Sequence, residues 1–141
     1  MAGEQLSTGG DILDKRRSIE VEGLHHGGNP IPTASRIGPF VASGGIFGQD
    51  AQTGNIPPGI EDQCAVMFAN IRRIIEAAGG TTENILQVTV WLSDISNRAH
   101  VNKEWVAMFP NPESRPARHT EVYRDIPEGR HVLCQFLAVL Q

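Results

Sequence analysis

The chain is poor in cysteine, has no surplus of positive charge and contains no long apolar run, and each shortage closes off a class of function. Only two cysteines occur in 141 residues, Cys64 and Cys134, both within apolar stretches and without a CxxC or other metal-ligand spacing. They read as reduced core thiols. Twelve basic against 16 acidic residues leave a net charge of -4, so a phosphate backbone meets no broad attraction and no nucleic-acid partner is expected. The opening MAGEQLSTGGDILDKRR lacks the apolar run of a signal peptide, and no segment nears the roughly 18 apolar residues of a membrane span. A cytoplasmic protein without membrane association is the expectation. His25 and His26 stand together without a third ligand at a set spacing, so they read as exposed loop residues, and no metal is expected.

What is present fits one domain. Residues 1–28 are polar and glycine-rich and show no sustained period, so they read as a flexible arm in which Lys15, Arg16 and Arg17 belong to a solvated segment. The globular part, residues 29–141, begins with an extended stretch fixed by Pro30 and Pro32. A strand over Ile37 to Ala42 then runs into the flexible Ser43-Gly44-Gly45, and the turn-rich QDAQTGNIPPG forms a loop. From Ile60 to Ala78 apolar residues recur every three or four positions, which predicts a helix stopped by Gly79-Gly80.

A strand follows with Leu86, Val88, Val90 and Leu92 on one side. Ser96 is placed to cap a second helix to about Phe109, with Val101, Trp105, Met108 and Phe109 inward. Strands over Ala117 to Tyr123 and Val132 to Leu140 complete an α+β fold, a mixed sheet with two helices on one face. The last strand is apolar on both alternating sets and belongs near the middle of the sheet. Two helices leave the second face uncovered, and another copy of the chain is the economical cover.

One residue resists this plain reading. In SRPARHTEV, alternation turns Arg118 inward with Thr120, while His119 points the other way. A guanidinium taken out of water needs a counter-charge, which could come from Glu121, Asp125, an acid of a neighbouring subunit, or a ligand.

The stretches NPIPTASRIGPFVASGG, IRRIIEAAGGTTENILQVTVWLSDI, VNKEWVAMF and RPARHTEV, in that order, together resemble the RidA/YjgF family, the reactive-intermediate imine deaminases once called L-PSP endoribonucleases. The resemblance implies a chorismate-mutase-like trimer with a pocket at each subunit interface, acting on 2-imino or 2-enamino acids without metal or organic cofactor. It places the carboxylate-gripping arginine at Arg118, with Asn102, Ser43 and Gly44 lining the same cleft. Three positions depart from the family pattern. Ile31 stands where the family has a pocket tyrosine, Thr120 where it often has cysteine, and Leu133 where it has a glutamate thought to position water. The carboxylate-binding half of the site is therefore kept and the water-activating half altered. That leaves three readings: a small-substrate deaminase, an enzyme for a bulkier, aminomuconate-like ring-cleavage intermediate, and a non-catalytic carboxylate-binding trimer.

Overall fold

The computed structural model describes residues 15–127 and 129–141. Its first long helix, α1 (Ile60–Ala77), forms because Cys64, Met67, Phe68, Ile71, Ile74 and Ile75 return to one face every three or four residues, and all six are buried. Glu61 and Asp62 occupy its first turn, where the helix dipole favours anions. Its end follows from glycine: Gly79 adopts φ 97°, Gly80 N donates to Ile75 O at 2.9 Å, and Gly79 N donates to Glu76 O at 3.0 Å. Arg36 Nη1 reaches across to donate to the carbonyl of Ala78 at 2.8 Å, satisfying one more acceptor of the helix end.

The strands are β1 (Arg17–Ile19), β2 (Ala34–Ile37), β3 (Phe40–Ser43), β4 (Ile46–Phe47), β5 (Ile85–Leu92), β6 (Ala117–Val122) and β7 (Val132–Val139). They form one mixed sheet in the order β1-β2-β3-β7-β5-β6, and the short β4 also pairs with β7. Every pairing is antiparallel except β5 with β6, which requires a crossover; helix α2 (Arg98–Met108) supplies it. As the two-sided apolar pattern predicts, β7 lies between β3 and β5. Val132, Cys134, Phe136 and Ala138 join the core with α1, whereas Leu137 on the other side is half exposed.

That other face is the fold's unfinished side. Ile37, Phe40, Leu86 and Leu137 stay exposed there beside Ala42 and Val139, around a shallow apolar concavity of about 310 Å³. An apolar patch of this kind is a docking surface more often than a solvated one.

Four expectations need correction. The segment from Arg17 is not an arm: β1 pairs with β2 at Arg17–Arg36 and Ile19–Ala34, and Leu24 is buried in the core. Three residues are too few to show a period, which hid the strand; residues 1–14 of the expected arm lie outside the described residues. The strand expected over Ile37 to Ala42 is a hairpin, because Gly38 takes φ 55° and turns the chain back at Pro39. Leu86 does not share a face with Val88: a bulge between Ile85 and Gln87 turns Ile85 inward and leaves Leu86 out. Ser96 is not the helix cap. Asp94 accepts the backbone N–H of Ser96 and starts a short 3-10 turn over Ile95–Asn97, and α2 begins after Asn97.

Two buried amides tie loops to α1. Gln63 Nε2 donates to Pro57 O at 2.7 Å and Gly129 O at 2.9 Å, while its Oε1 accepts from His131 N at 2.9 Å. Asn70 Nδ2 donates to Phe47 O and Gln49 O in the same manner. Replacing Gln63 with leucine strands two carbonyls and one N–H in a dry environment. Gln63→Leu should therefore lower unfolding stability by on the order of 3 kcal/mol, read from the shift of the urea midpoint at unchanged slope.

Candidate functional site

The site is built from the edge inward. Strand β6 pairs on one side only, with β5, in the register Val88–Arg118 and Val90–Thr120. Val88 and Val90 are fully buried under the helices, so Arg118 and Thr120 point to the helix side of the sheet, where both are half-buried. Above them runs α2. Asn102 Oδ1 accepts from Arg118 Nη2 at 2.7 Å, and the guanidinium carbon lies 5.0 Å from the centroid of the Trp105 ring. Phe109 packs against Trp105 edge-on at 4.7 Å and fixes that ring.

The partners left open for Arg118 can now be weighed. Among the described residues no carboxylate lies within ion-pair distance of it, and Glu121 is engaged elsewhere. Its Nη1 is buried without a hydrogen-bond partner among the described residues. Burial, and then the charge of nearby Arg98, lower its pKa from the usual arginine value. Asn102 and Trp105 support the guanidinium without neutralising it: an amide oxygen and a π face orient a cation but carry no net charge.

The other expected residues lie in three places. Ser43 Oγ accepts from Phe136 N and donates to Gly44 O, both at 2.9 Å, locking the end of β3 to β7. Gly44 N donates to Thr33 O at 2.8 Å. Leu133 lies on the opposite face of the sheet from Arg118, because it alternates with the buried Val132 and Cys134. There it stands opposite Trp91 and lines a concavity of about 210 Å³ with Gly45, Trp91, Tyr123 and Gln135. Ile31 is more than half exposed, at the rim of a separate groove with His26 and Asn29. One protomer thus joins Arg118, Asn102 and Thr120, and keeps Leu133 and Ile31 apart from them.

Sequence reading missed several polar groups. His26 is half-buried against the glycines, its Nε2 at 3.1 Å from Gly45 O, so it is not the free loop residue expected of it. Trp105, expected only as packing, is the cation's platform. Arg98 precedes Asn102 by one turn on the same helix face, a spacing that was visible in the sequence. Glu121, weighed only as a counter-charge for Arg118, instead accepts from Trp91 Nε1 and contacts His119 Nε2, each at 3.0 Å. Among the described residues no group of three or more histidine, cysteine, aspartate or glutamate side chains could hold a metal, and no helix is long and apolar enough to cross a membrane.

The family model for Endoribonuclease L-PSP matches residues 29–139. A RutC family protein of Pyrococcus horikoshii is 37% identical over 90 residues, covering 63% of this chain and 70% of its own. The Escherichia coli protein named "Putative reactive intermediate deaminase TdcF" is 26% identical over 104 residues, covering 73% and 81%. Among solved structures, RidA from the Antarctic bacterium Psychrobacter sp. PAMC 21119 superposes with a TM-score of 0.80 at 27% identity, over 88% of this chain and 99% of that one. E. coli TdcF with bound serine gives 0.81 at 24% identity, over 89% and 99%, a likeness of fold.

Both thiols are buried and free, and burial raises both, Cys64 to about 12 with help from the charge of Glu104. The reactive thiolate of Cys64 thus forms only well above neutral pH. At pH 8 neither Cys64 nor Cys134 should react with a disulfide reagent in the folded protein, and both should react at once in denaturant. Labelling of the native protein at the unfolded rate would contradict this environment.

Proposed function

The chain belongs to the Endoribonuclease L-PSP family, the RidA/YjgF family, and on that premise we propose that it hydrolyses 2-imino or 2-enamino acids to a 2-keto acid and ammonia as a homotrimer. The observation that carries this reading is the state of Arg118: a half-buried cation with its Nη1 unpartnered, two neutral supports and no acid beside it among the described residues. A substrate carboxylate suits this cation in charge and in geometry, since the guanidinium fork matches two carboxylate oxygens with parallel hydrogen bonds. With the acid end fixed, water adds to the C=N carbon and the carbinolamine expels ammonia. Holding the electrophile in one orientation contributes most of the rate.

Assembly belongs to the same reading. The apolar face around Phe40, Leu86 and Leu137 gives a second copy its contact area. Because Leu133 and Arg118 occupy opposite faces of one sheet, a cleft containing both must take them from two copies. Leu133 then gives the cleft an apolar wall where the family pattern has a carboxylate. A ribonuclease reading finds no support in a net charge of -4.

Arg98 favours the bulkier substrate as a second reading. It adds a cation one helical turn from Asn102, so a substrate with a second carboxylate, such as an aminomuconate-like chain, would meet a charge at each end.

Three experiments separate these possibilities. With an imine generated in situ by an amino-acid oxidase, Arg118→Ala should lower turnover by at least about 100-fold, while light scattering still reports the wild-type assembly. Full activity in this variant removes the site assignment. If 2-oxobutanoate raises the melting temperature of the wild type yet no imine disappears faster than in buffer, the protein is a binder and the enzyme reading fails. For the second reading, Arg98→Ala should reduce kcat/KM for dicarboxylate imines roughly tenfold and leave monocarboxylate imines unchanged. Equal loss on both classes would refute it.

A further inference from the structure

The proposed reaction needs a group to take a proton from the attacking water, and Leu133 cannot. The outer face of the sheet holds a substitute that the sequence pattern did not bring out. Leu133, Trp91 and Glu121 form one row across β7, β5 and β6, since Trp91 pairs with Leu133 on one side and with Glu121 on the other. At about 4.8 Å between neighbouring strands, Glu121 stands roughly 10 Å from the Leu133 position on the same face. Among the described residues it is the single acidic residue on any strand.

Its carboxylate is fixed from two sides. Trp91 Nε1 donates to Oε2 at 3.0 Å, and His119 Nε2 lies 3.0 Å from Oε1. The contact with His119, first, holds the Glu121 carboxyl below the usual glutamate range, with the Trp91 bond as a smaller cause. An ionised carboxylate only accepts hydrogen bonds, so His119 Nε2 carries the hydrogen in this contact. In the neutral imidazole the Nδ1 lone pair is then free, and the ring's direction is set. A carboxylate that fixes the tautomer of a histidine is the arrangement used where imidazole moves protons.

We propose that His119, oriented by Glu121 and Trp91, is the proton-transfer group of the deaminase, and that it acts on a substrate gripped by Arg118 of a neighbouring copy. The inference rests on the deaminase reading above. Opposite facing of successive residues on β6 rules out joint action by Arg118 and His119 of one chain on one small substrate, so the two must meet across an interface. Proton accounting closes without a further reactant. His119 Nδ1 takes a proton from water as the oxygen bonds to the imine carbon and the C=N π pair moves to nitrogen. The imidazolium returns that proton to nitrogen. In the second half the hydroxyl proton passes to His119 and on to nitrogen, the C–N bond breaks and ammonia leaves. Among the described residues the titratable groups on this face of β6 and its extension are His119, Glu121 and Tyr123; β5 presents Gln87, Thr89 and Trp91 and β7 presents Leu133, Gln135 and Leu137, none of them titratable.

The test uses the full chain and the oxidase-coupled imine assay across pH. In the wild type, kcat should fall on the acid side, where a proton acceptor is lost. His119→Gln, which keeps a donor toward Glu121 but cannot take a proton, should lose about 100-fold in kcat, change KM little and lose the acid limb. Co-expression of His119→Gln with Arg118→Ala decides the geometry. A site drawing on two chains recovers up to roughly a quarter of wild-type activity in randomly mixed assemblies, whereas a site within one chain recovers nothing. Wild-type kcat with an unchanged acid limb in His119→Gln, or absence of recovery on mixing, overturns the inference while the effect of Arg118→Ala keeps the deaminase reading. A wild type that hydrolyses no imine overturns both.

Discussion

Parallel pairing of the edge strand β6 with β5 is the constraint on which the rest depends. A parallel neighbour cannot be reached by a tight turn, so the chain must cross over the sheet, and it does so through the 3-10 turn at Ile95–Asn97 and α2. The same crossover lays Asn102 and Trp105 above β6. Strand pairing and the seating of Arg118 are thus one event in the fold. The register Val88–Arg118 then fixes what each side of β6 can do: even positions from 118 meet the helix, and odd positions from 119 meet the outer face. A slip of one residue would exchange Arg118 for His119 and dissolve both arrangements.

Electrostatics gives Arg118 its character. Had α2 carried an aspartate in place of Asn102, the pair would satisfy itself and leave little attraction for an incoming anion. The amide orients the fork and leaves the charge uncompensated. Trp105 acts in the same sense, lowering the energy of a partly dehydrated cation through its π face while blocking one side from water. Arg98, one turn back, adds positive potential instead of cancelling it. Such an arrangement is a poor device for stabilising a fold and a good one for holding an anion.

Legibility in the sequence followed the length and regularity of each signal. Helix α1 and strands β5 and β7 were readable because their apolar residues recur over many positions, and α1 ends at Gly79-Gly80. The short β1 and the bulge at Ile85 were not, since each is set by a pairing partner elsewhere in the chain, and the Gly38 turn was hidden inside an apolar run. Arg118 announced itself by violating an alternation, and the order of the motifs identified its family. Trp105 was predicted inward yet not as a cation's platform, because the contact joins residues 13 apart through a crossover. Glu121 and His119 look like ordinary polar residues of an edge strand until the register brings Trp91 beside them. Lone residues without a period carry no signal of their own; cross-strand rows do, once the pairing is known.

Leu133 sets the last step. A leucine where the family pattern has a carboxylate would be disabling if the outer face were uniformly apolar. It is not: the row that begins at Leu133 ends at Glu121, and the indole between them holds the carboxylate in place. Under the proposed reading, an apolar wall at one end of a row and a fixed acid at the other would suit a substrate with a longer unsaturated chain, which needs dry contact along its length and proton transfer at one atom. The outer face also has Phe40, Leu86 and Leu137 exposed, and in the proposed assembly another copy would exclude water from it. Assembly and chemistry are then not separable on this scaffold. The contact that hides the apolar face would also dehydrate the row, and a carboxylate-imidazole pair that is weak in open solvent gains strength as the surrounding dielectric falls.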